Sequence, residues 1–315
     1  MPISVQDAAA ICERIVSNVE RVIVGKRWAI ERAVVATIAG GHVLLEDVPG
    51  VGKTMLARSL AASIGGQFRR IQFTPDLLPT DVTGVSIYDQ KQGEFVFRPG
   101  PVFANIVLAD EINRASPRTQ SSLLEAMEER QVTVDGITHE LPAPFLVIAT
   151  ENPIEYEGVY PLPESQLDRF LLRFSIGYPE REEEKEIVQA QLLEHPVRSL
   201  SPVATAEEVA AVQETAGACH VAAEIYDYAL DLVEATRASS QLYLGAGPRG
   251  TLALIKSAQA LATLRGRDFV GPDDVKVIAA AALAHRLLPR PEARMNGVSG
   301  AEIIEDLLAT IPVPS

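Results

Sequence analysis

The sequence predicts an α/β protein whose parallel sheet carries a phosphate-binding loop, with two β-hairpins inserted into it and an all-helical domain appended. Three observations predict this. Apolar runs at 42–45, 104–109 and 144–150 each end in polar or acidic residues, as buried strands of a parallel sheet do at their C-terminal edge. The first run leads into a glycine-bearing turn and then Lys53-Thr54, which opens a helix. After about Tyr178 the strand signals stop and the apolar patterns are helical. The expected domains are therefore 1–178, α/β, and 179–315, helical.

The elements follow in order. Ala8, Ile11, Cys12, Ile15 and Val19 recur at helical spacing across 5–23. Val24-Gly25 then forms a turn before a helix over 27–39, and Gly40-Gly41 leads into the strand at 42–45. Beyond the phosphate loop come a helix at 55–64, a strand at 67–73 with alternating Phe68, Ile71 and Phe73, and a helical turn near 76–81. Alternation at 85–88 and 94–97 across a polar turn predicts the first hairpin. The strand at 104–109 delivers Asp110-Glu111 to the sheet edge. A helix at 118–130 follows, with Leu123, Leu124 and Met127 on its core face. Asp135-Gly136 between 131–134 and 137–141 carries the two-residue turn signal of the second hairpin. The strand at 144–150 ends in Glu151-Asn152-Pro153. Helices are expected at 181–193, 206–215, 222–238, 249–264 and 272–288, linked by Pro-, Ser- and Gly-rich loops at 194–204 and 239–248.

The loop Asp47-Val48-Pro49-Gly50-Val51-Gly52-Lys53-Thr54 is built to hold a triphosphate. Backbone N–H groups of Gly50, Val51, Gly52 and Lys53 point inward, and the helix beginning at Thr54 and Met55 adds its unpaired N–H groups and dipole. Lys53 bridges β- and γ-phosphate oxygens in this reading, and the Thr54 hydroxyl is a Mg²⁺ ligand. The usual first glycine is Asp47 here, a residue that tolerates positive φ or builds a local turn. Ligands of open α/β sheets bind outside the strand C-termini, so Asp110 is placed on the metal and Glu111 on the attacking water. Asn152, at the tip of the third strand, is placed to orient that water. The order of these strand-tip groups resembles that of the AAA+ ATPases.

Bulk properties narrow the function. The 315 residues suffice for a large core and two domains, and 47% apolar residues is ordinary for a soluble globular protein. No apolar run reaches the roughly eighteen residues a membrane helix requires, and the N-terminal stretch lacks a signal pattern, so a cytoplasmic location without membrane insertion is expected. Cys12 and Cys219 lack metal spacing and are expected to be buried thiols. His42, His139, His195, His220 and His285 show no ligand spacing, so no metal beyond nucleotide-bound Mg²⁺ is expected. With 28 basic against 42 acidic residues the net charge is −14, a poor fit to nucleic-acid binding; the acidic cluster at 180–186 is expected to be a solvated helix face.

Three segments together closely resemble the MoxR family of AAA+ ATPases: Leu45 to Thr54; Asp110-Glu111-Ile112-Asn113-Arg114-Ala115; and Glu155 to Glu164 with Leu167-Asp168-Arg169-Phe170. The likeness covers nearly the whole chain. It implies that the hairpins are the helix-2 insert and the hairpin before the sensor strand, both shared with magnesium chelatase ATPase subunits. It implies that Asn152 is sensor 1, although Glu151 stands where the family often has Gln. Arg169 matches the arginine finger and Arg249, in Gly247-Pro248-Arg249-Gly250, matches sensor 2. Val24-Gly25 matches the element that rests on adenine, or is an ordinary helix start. Arg114 either senses nucleotide across a subunit interface or makes a subunit salt bridge. The implied activity is Mg²⁺-dependent ATP hydrolysis in a homo-oligomeric, hexameric ring. The implied task is chaperone-like maturation of protein complexes, including metal-cofactor insertion. The implied partners are a von Willebrand factor A domain protein and a protein client. A nucleotide switch with little hydrolysis is the alternative.

Overall fold

The computed structural model describes residues 2–91, 93–153, 158–193 and 196–314. Glu155–Glu157 of the third resembling segment, and His195, lie outside the described residues. The chain runs α1 (Val5–Glu20), α2 (Arg27–Ile38), β1 (Val43–Glu46), α3 (Lys53–Ser63), β2 (Phe68–Gln72), α4 (Pro79–Thr83), β3 (Gly84–Asp89), β4 (Glu94–Pro99) and β5 (Ile106–Asp110). It continues through α5 (Pro117–Glu129), β6 (Gln131–Val134), β7 (Ile137–Glu140), β8 (Leu146–Glu151), α6 (Glu164–Leu167) and β9 (Leu172–Phe174). The helical part comprises α7 (Arg181–Leu193), α8 (Ala206–Gly217), α9 (Ala223–Ala238), β10 (Leu242–Leu244), α10 (Pro248–Leu264), α11 (Pro272–Leu283), β11 (Leu288–Pro289), α12 (Pro291–Met295) and α13 (Gly300–Thr310).

The sheet has five strands in the order β2-β5-β8-β1-β9, every pair parallel. Alternation along its strands divides the core. Val43, Leu45, Ile106, Leu108, Leu146 and Ile148 face one side, where α1, α2 and α3 meet the buried residues of α8 to α11 in one continuous cluster. Leu44, Val107, Ala109, Val147 and Ala149 face the other, against Leu123, Leu124 and Met127 of α5. Both hairpins form as antiparallel pairs, β3 with β4 and β6 with β7, and they touch where Phe97 stacks on His139 at a 4.1 Å centroid separation.

Two sequence expectations change. The helix anticipated over 272–288 stops at Leu283, because Ala284–Arg286 tightens to a 3-10 turn and Leu288 pairs antiparallel with β10. Thus the helical part includes one short strand pair. β9 carried no strand signal, being three residues long; it is held by pairing with β1. Cys12 and Cys219 are free and buried, and burial pushes the Cys12 thiol up to about 12.

Candidate functional site

The C-terminal ends of β1, β5 and β8 meet at one edge and open on a cavity of about 360 Å³ lined by Gly50, Gly52, Lys53, Thr54, Met55, Asp110, Glu111 and Asn152. Gly52 caps α3 with φ 100°, a left-handed value that a side chain would strain. Lys53 Nζ donates to the Asp47 carbonyl at 2.6 Å, and burial lowers its pKa from the ordinary value against the pull of Asp47, Asp110 and Glu111. Val51 does not line the cavity; its side chain packs on the main core, leaving only its backbone to the loop.

Asp47 does not take the positive φ that was one of its two anticipated uses. Its side chain is buried and accepts the N–H groups of Ile176 and Gly177, the latter at 3.2 Å, tying the phosphate loop to the chain just after β9. Val24 and Gly25 lie outside the cavity lining. Their segment is nevertheless adjacent, because a Cβ built on Gly52 would sit 3.6 Å from Ile23 Cδ1. A Cβ on Gly25 would collide with the Glu183 side chain, and Glu183 lies 3.5 Å from Lys26 Nζ, so the acidic cluster at 180–186 is not solvated throughout.

The acidic pair is held by groups the sequence does not advertise. Thr150, wholly buried, donates its hydroxyl proton to Asp110 Oδ1 at 2.7 Å and accepts the Glu111 N–H at 2.9 Å. Glu111 sits at φ 57°, a strained value for a residue with a side chain. Its Oε2 accepts from Gln72 Nε2 at 2.8 Å and from Arg114 Nη1 at 2.9 Å. Arg70, also on the cavity wall, places Nη2 2.6 Å from Asp110 Oδ2. Arg114 thus has an intrachain partner. The Thr54 hydroxyl and the Asp110 carboxylate on one cavity wall are hard oxygen donors of the kind Mg²⁺ takes alongside phosphate and water.

Neither Arg169 nor Arg249 lines that cavity. They meet elsewhere, on a second cavity of about 320 Å³ whose lining includes Glu128, Arg130, Asp168 and Arg286. The Glu128 carboxylate joins them, with Oε2 3.2 Å from Arg169 Nη2 and Oε1 2.6 Å from Arg249 Nη2. Glu128 is positioned from the sheet side. Buried His42 accepts the Val147 N–H on Nδ1 at 3.0 Å, leaving Nε2–H to donate to the Met127 carbonyl at 3.0 Å, and burial takes its pKa down to about 4. Arg173 pairs instead with Glu46 beside the phosphate loop. Gln72, Thr150, Glu128 and Arg286 were not singled out from the sequence, because their roles depend on partners 39 to 121 residues away.

Residues 42–172 match the sequence profile of the ATPase family associated with various cellular activities (AAA), and residues 234–307 match that of the AAA lid domain. The chain is 50% identical over 309 residues to the uncharacterized protein YeaC of Bacillus subtilis, covering 98% of this chain and 97% of that one. It is 45% identical over 311 residues to the chaperone MoxR1 of Mycobacterium tuberculosis, covering 96% of this chain and 82% of the relative. A crystal structure of a candidate ATPase from Cytophaga hutchinsonii superposes with a TM-score of 0.91 at 36% identity and 98% coverage of both chains.

Proposed function

The chain belongs to the MoxR family of AAA+ ATPases, and on that premise we propose that it hydrolyses ATP with Mg²⁺ at a site completed by a second copy of itself. One observation carries the proposal. The groups that grip phosphate and activate water surround one cavity, while the two arginines that would neutralise the γ-phosphate sit together on another. A head-to-tail interface repeated around a closed ring brings the second cavity of each copy to the first cavity of its neighbour. The hexamer expected from the family resemblance is one such ring.

Each residue then has a task. Lys53 and the loop N–H groups bind the β- and γ-phosphates. Mg²⁺, held by Thr54 and Asp110, would supply charge neutralisation at the phosphate oxygens. Glu111 polarises the attacking water once it exchanges its bonds to Gln72 and Arg114 for that water, and Asn152 fixes the water's orientation. Arg169 and Arg249 of the neighbour supply cations to charge developing in the transition state; such a finger contributes about 10³ to 10⁵ in rate. The Val24-Gly25 segment, beside Gly52, supports the adenine. The cycle drives chaperone-like remodelling or maturation of protein complexes in the cytoplasm, with a von Willebrand factor A domain protein and a client as partners; metal-cofactor insertion falls within that class. The boundary between the catalytic and lid domains is placed at 178/179.

The test is ATP turnover against protein concentration for the wild type, Glu111→Gln and Arg169→Ala, with mass from light scattering. Activity that rises with assembly, and is lost in both variants while ATP binding persists, supports the proposal. An assembled wild type that binds ATP without turning it over supports the nucleotide switch instead.

A further inference from the structure

Arg286 closes the 3-10 turn after α11 and is 8% exposed. Its Nε donates to Asp168 Oδ1 at 2.8 Å, and its Nη2 donates to the carbonyls of Phe170 at 2.7 Å and Asp168 at 3.2 Å. Its Nη1 donates to the Ala282 carbonyl on its own helix and reaches the Leu171 carbonyl at 3.4 Å. Four acceptors therefore lie in the four-residue run that carries Arg169. The N–H groups of that run bond back to α6 and to the His42 carbonyl before β1, so its N–H side is held by the sheet domain while its carbonyls at 168, 170 and 171 are held by Arg286. A guanidinium presents five N–H donors in a rigid fork, whereas a lysine ammonium is a single point on a flexible stem. The Asp168 carboxylate compensates the buried cation and has a second neighbour, Arg249, whose Nε lies 4.0 Å from Oδ2.

Resting on the reading that Arg169 acts on a neighbouring copy's nucleotide, we propose that Arg286 is the positioning residue of that finger. It fixes the 168–171 backbone to the helical domain, so that Arg169 and Arg249 enter the neighbour's site as one unit. Arg286 itself touches no nucleotide. Movement of the helical domain therefore carries the finger with it, which couples hydrolysis in one copy to the posture of the next.

The experiment uses mixed assemblies of full-length chains. Arg286→Lys should lower kcat about 10- to 100-fold, the cost of misplacing a catalytic group by an ångström or so. Its KM for ATP and its assembly should stay as in the wild type. Mixed 1:1 with Lys53→Ala, whose finger is intact, it should recover about a quarter of the wild-type rate, the chance that an intact loop faces an intact finger across a head-to-tail interface. Asp168→Asn, which leaves the carbonyl acceptors in place, should show a smaller loss and the same recovery, and decides the matter if Arg286→Lys does not fold. Arg169→Ala mixed with Lys53→Ala is the control. Recovery in the control without recovery for the Arg286 and Asp168 variants overturns the positioning role alone, as does wild-type turnover in both of them. No recovery in the control overturns the reading of a shared site, and this inference with it.

Discussion

The two cavities that hold the candidate catalytic groups are built in opposite ways. The phosphate-binding half rests on local geometry: Lys53 and Thr54 follow the loop directly, and the strand tips beside it lie in register, with Glu46 opposite Glu151. The arginine half is assembled from α5, the run after α6, the start of α10 and the turn after α11. On the proposed reading, the first half binds nucleotide within a single chain. The second half depends on the packing of the helical domain against the sheet domain, so its presentation can respond to conformation. A site divided as proposed would separate binding from hydrolysis and assign hydrolysis to the assembly.

The largest break in this comparison should come from Arg169→Ala. Turnover by the assembled protein should fall by about 10³ or more while the Kd for ATP stays within about threefold, because the finger meets charge that develops only in the transition state. Lys53→Ala should do the reverse, raising the Kd for a fluorescent ATP analogue about 10- to 100-fold by removing a charged hydrogen-bond donor. Equal effects of the two substitutions on binding would place both residues in one site and end the comparison.

A pH experiment sharpens the phosphate half. Burial lifts the Glu151 carboxyl from 4.5 to about 7, with Glu46 adding to the lift and Arg173 opposing it. The folded protein holds a proton there that the unfolded chain releases near 4.5, so this group costs stability progressively as pH rises from 4.5 to 7. Glu151→Gln should therefore raise the thermal midpoint at pH 8, by the equivalent of about 1–3 kcal/mol, and leave it nearly unchanged at pH 4, below both pKa values. A gain of equal size at both pH values would assign the effect to packing instead. The smallest expected effect is that of Gln72→Leu. Removing one neutral donor from Glu111 should raise basal turnover about two- to fivefold, as one modest hydrogen bond allows. A fall in turnover would show that Gln72 orients Glu111 for reaction.

The same division explains what was legible in the sequence. The loop, the acidic pair and Asn152 could be placed because strand periodicity and a contiguous motif put them on one sheet edge, and the fold class follows from the same signals. Both hairpins were visible through alternation and the Asp-Gly turn. Asp47 could be located but not understood, since its buried carboxylate serves backbone N–H groups 129 and 130 residues away. Arg169 and Arg249 could be singled out by resemblance, yet their meeting on Glu128 could not, nor could the clamp of Arg286 on 168–171, because nothing local marks such pairs. The break of α11 at Leu283 also escaped periodicity, because Ala284, Leu287 and Leu288 continue the apolar spacing while pairing with β10 fixes the segment instead.

The claim that the ATP site is shared between copies is tested most directly by mixing two inactive chains, Lys53→Ala and Arg169→Ala, and measuring ATP turnover of the co-assembled product. The account predicts that activity absent from either chain alone returns, to about a quarter of the wild-type rate in a random 1:1 mixture. A mixture that assembles, binds ATP and stays inactive would contradict it.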